Sequence, residues 1–119
     1  MRLSLQTDYS LRSLMFLAVQ PGRRNVAEIA AFFGISEGHV AKVVNHLSRM
    51  GYIRSIRGVG GGIELARSPE QISIGEIVAA VEGETHLLDC VGMDNVCVIE
   101  RSCKLKGVLA KAEQIQRDY

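Results

Sequence analysis

Residues 34–67, GISEGHVAKVVNHLSRMGYIRSIRGVGGGIELAR, constrain the fold more than any other stretch of this 119-residue chain. Between Gly34 and Gly51, Val40, Val43, Val44 and Leu47 recur at three- and four-residue spacing, the pattern of a helix with one apolar face. Ser36 stands where a hydroxyl caps the first free amides of such a helix. Its other face carries Glu37, His39, Lys42, Asn45, His46 and Arg49. Tyr52–Arg57 and Ile63–Ala66 then read as short strands joined by Gly58–Gly62, a run able to take positive φ at little steric cost.

Upstream, the spacing predicts a helix over Thr7–Val19 with Leu11, Leu14, Met15 and Ala18 on one face, stopped by Pro21-Gly22. Asn25 and Glu28 open a short second helix that Gly34 ends, with Ile29, Phe32 and Phe33 expected to face inward. Two helices joined through FGIS, then a basic hairpin, form a winged helix-turn-helix. Downstream, Ser73 and Glu76 make a capping box for a helix through Val81 that ends near Gly83. In the last helix Leu105, Val108, Leu109, Ala112 and Ile115 form a stripe, with Lys104, Lys106, Lys111 and Arg117 on other faces. No later element covers that stripe, so it is expected to dock on the first half or on a second copy. The expected fold is therefore mainly α with a small β-hairpin (α+β). Residues 1–82 form the winged helix-turn-helix region with its wing at 52–66. Residues 83–103 form a cysteine loop and 104–119 a dimerisation helix, all within one compact domain.

The net charge of +1 hides an uneven distribution. Residues 1–67 hold nine Lys/Arg against four Asp/Glu, whereas residues 68–100 hold seven acids and no base. A positive first half suits a polyanion. In a helix-turn-helix the outward helix reads base edges while neighbouring cations meet phosphates. The expected DNA contacts are Arg12, Ser36, Glu37, His39, Lys42, Asn45, Arg49, Arg54, Arg57 and Gly60, with Arg67 a further flanking cation. Winged-helix dimers read two half-sites roughly 34–36 Å apart, so a homodimer on a palindromic operator in double-stranded DNA is expected.

Other classes fit less well. The glycine run is not a nucleotide-binding loop, because Ile63 stands where G-x-G-x-x-G needs its last glycine and no Lys-Ser/Thr pair follows. With three Phe, three Tyr and no Trp, a stacking platform for single strands is disfavoured. A small thiol or metal enzyme would need a paired acid and base or a C-x-x-C, and neither is present. The apolar run Leu14–Val19 is too short for a signal h-region or a membrane span, so a cytoplasmic protein without membrane attachment is expected.

All three cysteines, Cys90, Cys97 and Cys103, fall within fourteen residues. In a reducing compartment, clustered thiols suggest metal binding or redox chemistry before structural disulfides. Three thiolates suit a soft metal or an iron–sulfur cluster, with Cys103 near a helix start where the dipole favours an anionic ligand. A fourth ligand must come from His86, a carboxylate, water, or another segment or chain. Structural zinc, a thiol redox switch and three idle thiols remain open on spacing alone.

The stretches MRLSLQTDYSLRSLMFLA, GISEGHVAKVVNHLSRMGYIRSIRGVGGGIELAR, ISIGEIV and LLDCVGMDNVCVIERSCKLKGVLAKA resemble the Rrf2 family of winged-helix iron–sulfur transcription regulators, and within it the nitric-oxide-sensing repressors. The resemblance implies that Cys90, Cys97 and Cys103 hold a four-iron four-sulfur or two-iron two-sulfur cluster. It implies a role for the aspartate of TDY, Asp8, as a ligand to the cluster of the partner subunit. Members that control cluster biogenesis carry histidine three residues after the last cysteine, where Lys106 stands here. Iron-responsive members have asparagine at the position of Asp8. The function implied is a repressor whose DNA affinity follows the state of its cluster, with nitric oxide as the signal and iron status or oxidation as alternatives.

Overall fold

A computed structural model describes residues 2–83, 91, 99 and 102–119. Cys90, Cys97, His86, Asp89, Asp94 and Glu100 lie outside the described residues. The chain forms two compact units, Arg2–Glu82 and Gly83–Tyr119.

In the first unit, α1 spans Leu5–Val19, two residues earlier than the spacing predicts, because the Ser4 hydroxyl accepts from the Thr7 amide at 3.3 Å. Its buried face also differs from the expected one. Thr7, Ser10, Leu14 and Leu17 point inward, with Ser13 and Phe16 beside them, whereas Met15 is 62% exposed. Small hydroxyl residues permit close approach, and α1 packs against α3 (Glu37–Arg49) and α4 (Ile74–Glu82). Ser10 Oγ is satisfied within the helix, donating to the Gln6 carbonyl at 2.7 Å. The predicted face, Leu11, Leu14, Met15 and Ala18, instead lines an open apolar groove of about 220 Å³ completed by Leu65, Ile72 and Ile77.

Helix α2 spans Val26–Phe33, capped by Asn25 Oδ1 accepting from the Glu28 amide at 2.8 Å and ended by Gly34 in the left-handed region, φ 65°. Ile29 and Ala30 are buried, Phe33 is half-buried, and Phe32 is 66% exposed, contrary to expectation. Adjacent helical residues lie about 100° apart, so Phe32 and Phe33 cannot share the inward face. Phe32 instead meets the Phe16 and Phe33 rings edge-on, at centroid distances of 5.3 and 5.0 Å.

The apolar stripe and cap of helix α3 are those the spacing predicts. Val40, Val43, Val44 and Leu47 are all buried, and Ser36 Oγ accepts from the His39 amide at 3.4 Å. The wing strands β1 (Ile53–Ile56) and β2 (Gly62–Leu65) pair antiparallel, with Ile53 opposite Leu65 and Ser55 opposite Ile63. A bridge between Arg24 and Ile63 adds the α1–α2 connector to this sheet. Tyr52, Ile53 and Ile63 anchor the hairpin in the core shared with α1, α2 and α3. Helix α4 opens on the expected capping box: the Glu76 amide donates to Ser73 Oγ at 3.1 Å, and Glu76 Oε2 accepts from the Ser73 amide at 3.4 Å.

In the second unit, α5 spans Lys104–Asp118 with Cys103 at its N-cap position. Leu105, Val108 and Ile115 are each more than half exposed, and Glu113 is the buried residue of the helix. Mainly helical, with one two-stranded hairpin among the described residues, the chain has the expected fold class.

Candidate nucleic-acid interface and cysteine site

The apolar stripe of α3 fixes its rotation, so Glu37, His39, Lys42, Asn45 and Arg49 are all exposed on the opposite side. The side chains of Lys42, Asn45 and Arg49 make no hydrogen bond or ion pair among the described residues, leaving their donors available. Ser36 is exposed and caps the helix, while Glu37 in the first turn complements the helix dipole. His46, expected outward, is half-buried. Tyr9 of α1 lies beside this surface, its ring centroid 6.0 Å from that of His39, and lines a hollow with Leu5, Gln6 and Lys42. Nothing in the sequence pattern marks Tyr9, because the α1–α3 packing alone brings it there.

Each cation around the wing has a different environment. Arg54 pairs with Glu64 across the hairpin at 3.2 Å. Arg57 is exposed with no carboxylate partner among the described residues, and Gly60 is exposed with φ 75°. Val59, at the hairpin tip, is fully exposed. Arg67, expected as a flanking cation of the wing, is turned inward: its guanidinium lies 4.6 Å from the Tyr52 ring centroid and donates to Glu76 Oε1. Tyr52 donates its hydroxyl to the same oxygen at 2.9 Å. The Arg67 and Tyr52 hydrogen bonds hold the Glu76 carboxyl below its ordinary pKa. Burial, then the bond to Glu76, pushes the Tyr52 phenol up. This cluster ties the base of the wing to α4.

The other end of α4 is tied to α1. Glu82 Oε1 accepts from Thr7 Oγ1 at 2.6 Å and from the Ser4 amide at 2.5 Å, and these bonds lower the Glu82 pKa. Asp8 is the next residue after Thr7. Its Oδ1 accepts from Arg12 Nε at 2.8 Å, which raises the Arg12 pKa, and the Arg12 guanidinium lies 5.5 Å from the Phe33 ring centroid. Arg12 is thus engaged within its own unit. Asp8 Oδ2 has no hydrogen bond among the described residues, and the side chain is about 44% exposed.

Cys103 is a free, half-buried thiol, and its side chain makes no capping hydrogen bond. No three His, Cys, Asp or Glu side chains come together among the described residues. Taken separately, Cys103 has its sulfur uncommitted and Asp8 retains an open carboxylate oxygen, both donor types that iron accepts.

A profile for the Rrf2 family, described as iron-dependent transcriptional regulator, matches residues 3–119. The chain belongs to the Rrf2 family. Members of this family are transcriptional regulators rather than enzymes. The chain is 45% identical over 115 residues to the HTH-type transcriptional regulator NsrR of Bacillus subtilis, covering 94% of this chain and 79% of that one. It is 43% identical over 115 residues to the regulator of the same name from Shouchella clausii, covering 94% and 77%. Among solved structures, a transcriptional regulator from Listeria innocua superposes with a TM-score of 0.77 at 26% identity, covering 99% of this chain and 78% of that one. CymR, the global cysteine regulator of B. subtilis, superposes with a TM-score of 0.73 at 22% identity, covering 97% and 88%, and supports the Rrf2 winged-helix fold. Among the described residues, no helix is long and apolar enough to cross a membrane.

Proposed function

We propose that this Rrf2-family chain is a homodimeric DNA-binding repressor whose affinity for a palindromic operator is controlled by an iron–sulfur cluster, with nitric oxide as its signal. One observation carries the DNA reading. The exposed face of α3 offers Lys42, Asn45 and Arg49 without internal partners, beside a hairpin bearing the unpaired Arg57. Asn and Arg side chains suit bidentate contacts to adenine and guanine, while Lys42 and Arg57 suit phosphates. The likeness to relatives named NsrR supports the signal.

Cys90, Cys97 and Cys103, with Asp8 of the partner subunit, would hold the cluster. When bound, it supplies iron at which nitric oxide reacts, most readily where the ligand is a carboxylate rather than a thiolate. The chain's own residues then explain how a change near Asp8 could reach the wing. Glu82 fixes the start of α1 through Ser4 and Thr7, and α4 runs from Glu82 back to Glu76. There Arg67 and Tyr52 connect it to the hairpin. Helix α4 is therefore a strut between the beginning of α1 and the wing, and it directly precedes the cysteine segment. A shift at its C-terminal end would change the wing angle and the match between two half-sites, the two-state element that such control requires.

The test is an absorption spectrum of anaerobically purified protein, with iron and sulfide counts, before and after stoichiometric nitric oxide. The expected result is an iron–sulfur chromophore that converts to iron-nitrosyl bands as DNA binding is lost. A colourless protein whose anaerobic reconstitution also fails would leave a DNA-binding regulator with zinc or thiol chemistry. A chromophore that responds to oxygen or iron depletion but not to nitric oxide would reassign the signal. The Asp8→Ala variant tests the fourth ligand, and an identical cluster with an unchanged response would remove Asp8 from the site.

A further inference from the structure

We propose that Arg23, on the connector between α1 and α2, holds the wing tip in place and adds a phosphate contact to the DNA interface. The inference rests on the DNA-binding reading above and adds a residue outside the helix and hairpin that motif placed there. Three contacts stitch this connector to the wing. The Arg24 amide donates to the Ile63 carbonyl at 2.9 Å, and the Ile63 amide returns a bond to the Arg24 carbonyl at 2.7 Å. Arg23 Nη1 donates to the Gly60 carbonyl at 2.6 Å, at the hairpin tip. Approach is so close at Gly62 that an added Cβ would lie 2.7 Å from the Arg24 carbonyl oxygen and 3.3 Å from Arg23 Cβ.

The tip needs such a tether. Gly58, Gly60 and Gly62 all take positive φ, and Val59 between them is fully exposed. A glycine-rich tip loses much chain entropy when ordered, so a bond from outside the hairpin reduces the number of conformations it samples. Charge gives the second argument. Four arginines in this unit are matched by carboxylates: Arg12 by Asp8, Arg24 by Glu28, Arg54 by Glu64 and Arg67 by Glu76. Arg23 has no carboxylate partner among the described residues, and it is exposed. One of its five N–H donors is used on Gly60, and the planar remainder suits a phosphate. Arg23 and Arg57 therefore supply uncompensated positive charge on the wing side.

The experiment measures binding of the anaerobically purified full chain to a random-sequence duplex of about 30 base pairs, three helical turns, across a salt series. Each phosphate contact contributes about 0.9 to the slope of log K against log salt. The Arg23→Ala variant is expected to reduce that slope by about one, to a degree comparable with Arg57→Ala. Arg23→Lys, which keeps the charge, is expected to retain the wild-type slope. Amide exchange across residues 58–62 is expected to quicken in Arg23→Ala while its thermal midpoint stays put. A wild-type slope in Arg23→Ala, with a reduced one in Arg57→Ala, would overturn the phosphate contact and leave the DNA reading intact. Equal loss in the lysine and alanine variants would overturn it too. Unchanged exchange at the tip would overturn the tether. A wild-type chain with no salt-dependent binding would overturn both the DNA reading and the inference built on it.

Discussion

Helices α3 and α5 have similar lengths, 13 and 15 residues, and each carries apolar residues at helical spacing. Their surroundings differ. In α3 the four stripe residues are no more than 4% exposed, whereas Leu105, Val108 and Ile115 of α5 are each above 50%. The helix-wing unit thus buries its own stripe, whereas that of α5 lies exposed among the described residues. Equal periodicity in sequence therefore does not by itself decide whether an apolar stripe becomes buried.

The largest difference between the two regions is expected at the proposed cluster. Cys103→Ser is expected to abolish the visible chromophore and the iron content, while thermal unfolding of the helix-wing unit is unchanged. Simultaneous collapse of both would show that the two regions are not separable. Next comes the core itself. Leu47 is fully buried, and Leu47→Ala should lower unfolding free energy by about 2–5 kcal/mol in a urea titration. Val108→Ala should cost less than about 1 kcal/mol within the unit and instead lower the association constant measured by sedimentation equilibrium. A Val108 variant with unchanged association would remove α5 from the proposed dimer interface.

Gly62→Ala probes the seam between connector and wing. With φ 145° and the Arg24 carbonyl 2.7 Å from the new Cβ, it should separate the Arg24–Ile63 bridge and cost about 1–3 kcal/mol. A wild-type urea midpoint would mean that the seam relaxes freely. The smallest effect is in pH. Glu76 has a depressed folded-state pKa, so its stabilisation is complete above the ordinary carboxylate value, about 4.3, and is lost as pH falls through the lower folded value. The urea midpoint should therefore decline with acidification below about pH 5, and Glu76→Gln should shallow that decline. An identical acid profile in the variant would show that ionisation of Glu76 contributes nothing measurable to the pH dependence of stability.

Local chemistry made much of this molecule legible. Ser36, Asn25 and the Ser73–Glu76 pair cap their helices through bonds spanning only three residues, so the sequence order determines them. The α3 stripe was equally clear because four β-branched or leucine side chains at helical spacing have one apolar side. The outward position of Glu37, His39, Lys42, Asn45 and Arg49 follows from that rotation. Cysteine spacing pointed to metal binding or redox chemistry and left structural zinc, a thiol switch and idle thiols open. Asp8 has the same local pattern as an ordinary helix-start acid, and only the family resemblance distinguished it.

Tertiary structure decided what depends on distant neighbours. The inward face of α1 is built from Thr7, Ser10 and Ser13 because small hydroxyls let helices approach closely, which hydrophobicity alone does not reveal. Arg67 reads as one more basic residue, but Tyr52 and Glu76 lie 15 and 9 positions away and convert it into an internal tie. Arg23 acquires its place only because the connector pairs with Ile63, about 40 residues further on. Caps and periodicity were settled by the sequence, since these rest on contacts within a turn or two. The faces that become buried, and the charges left free, were decided by which distant segments came together, because burial and ion pairing depend on neighbours in space.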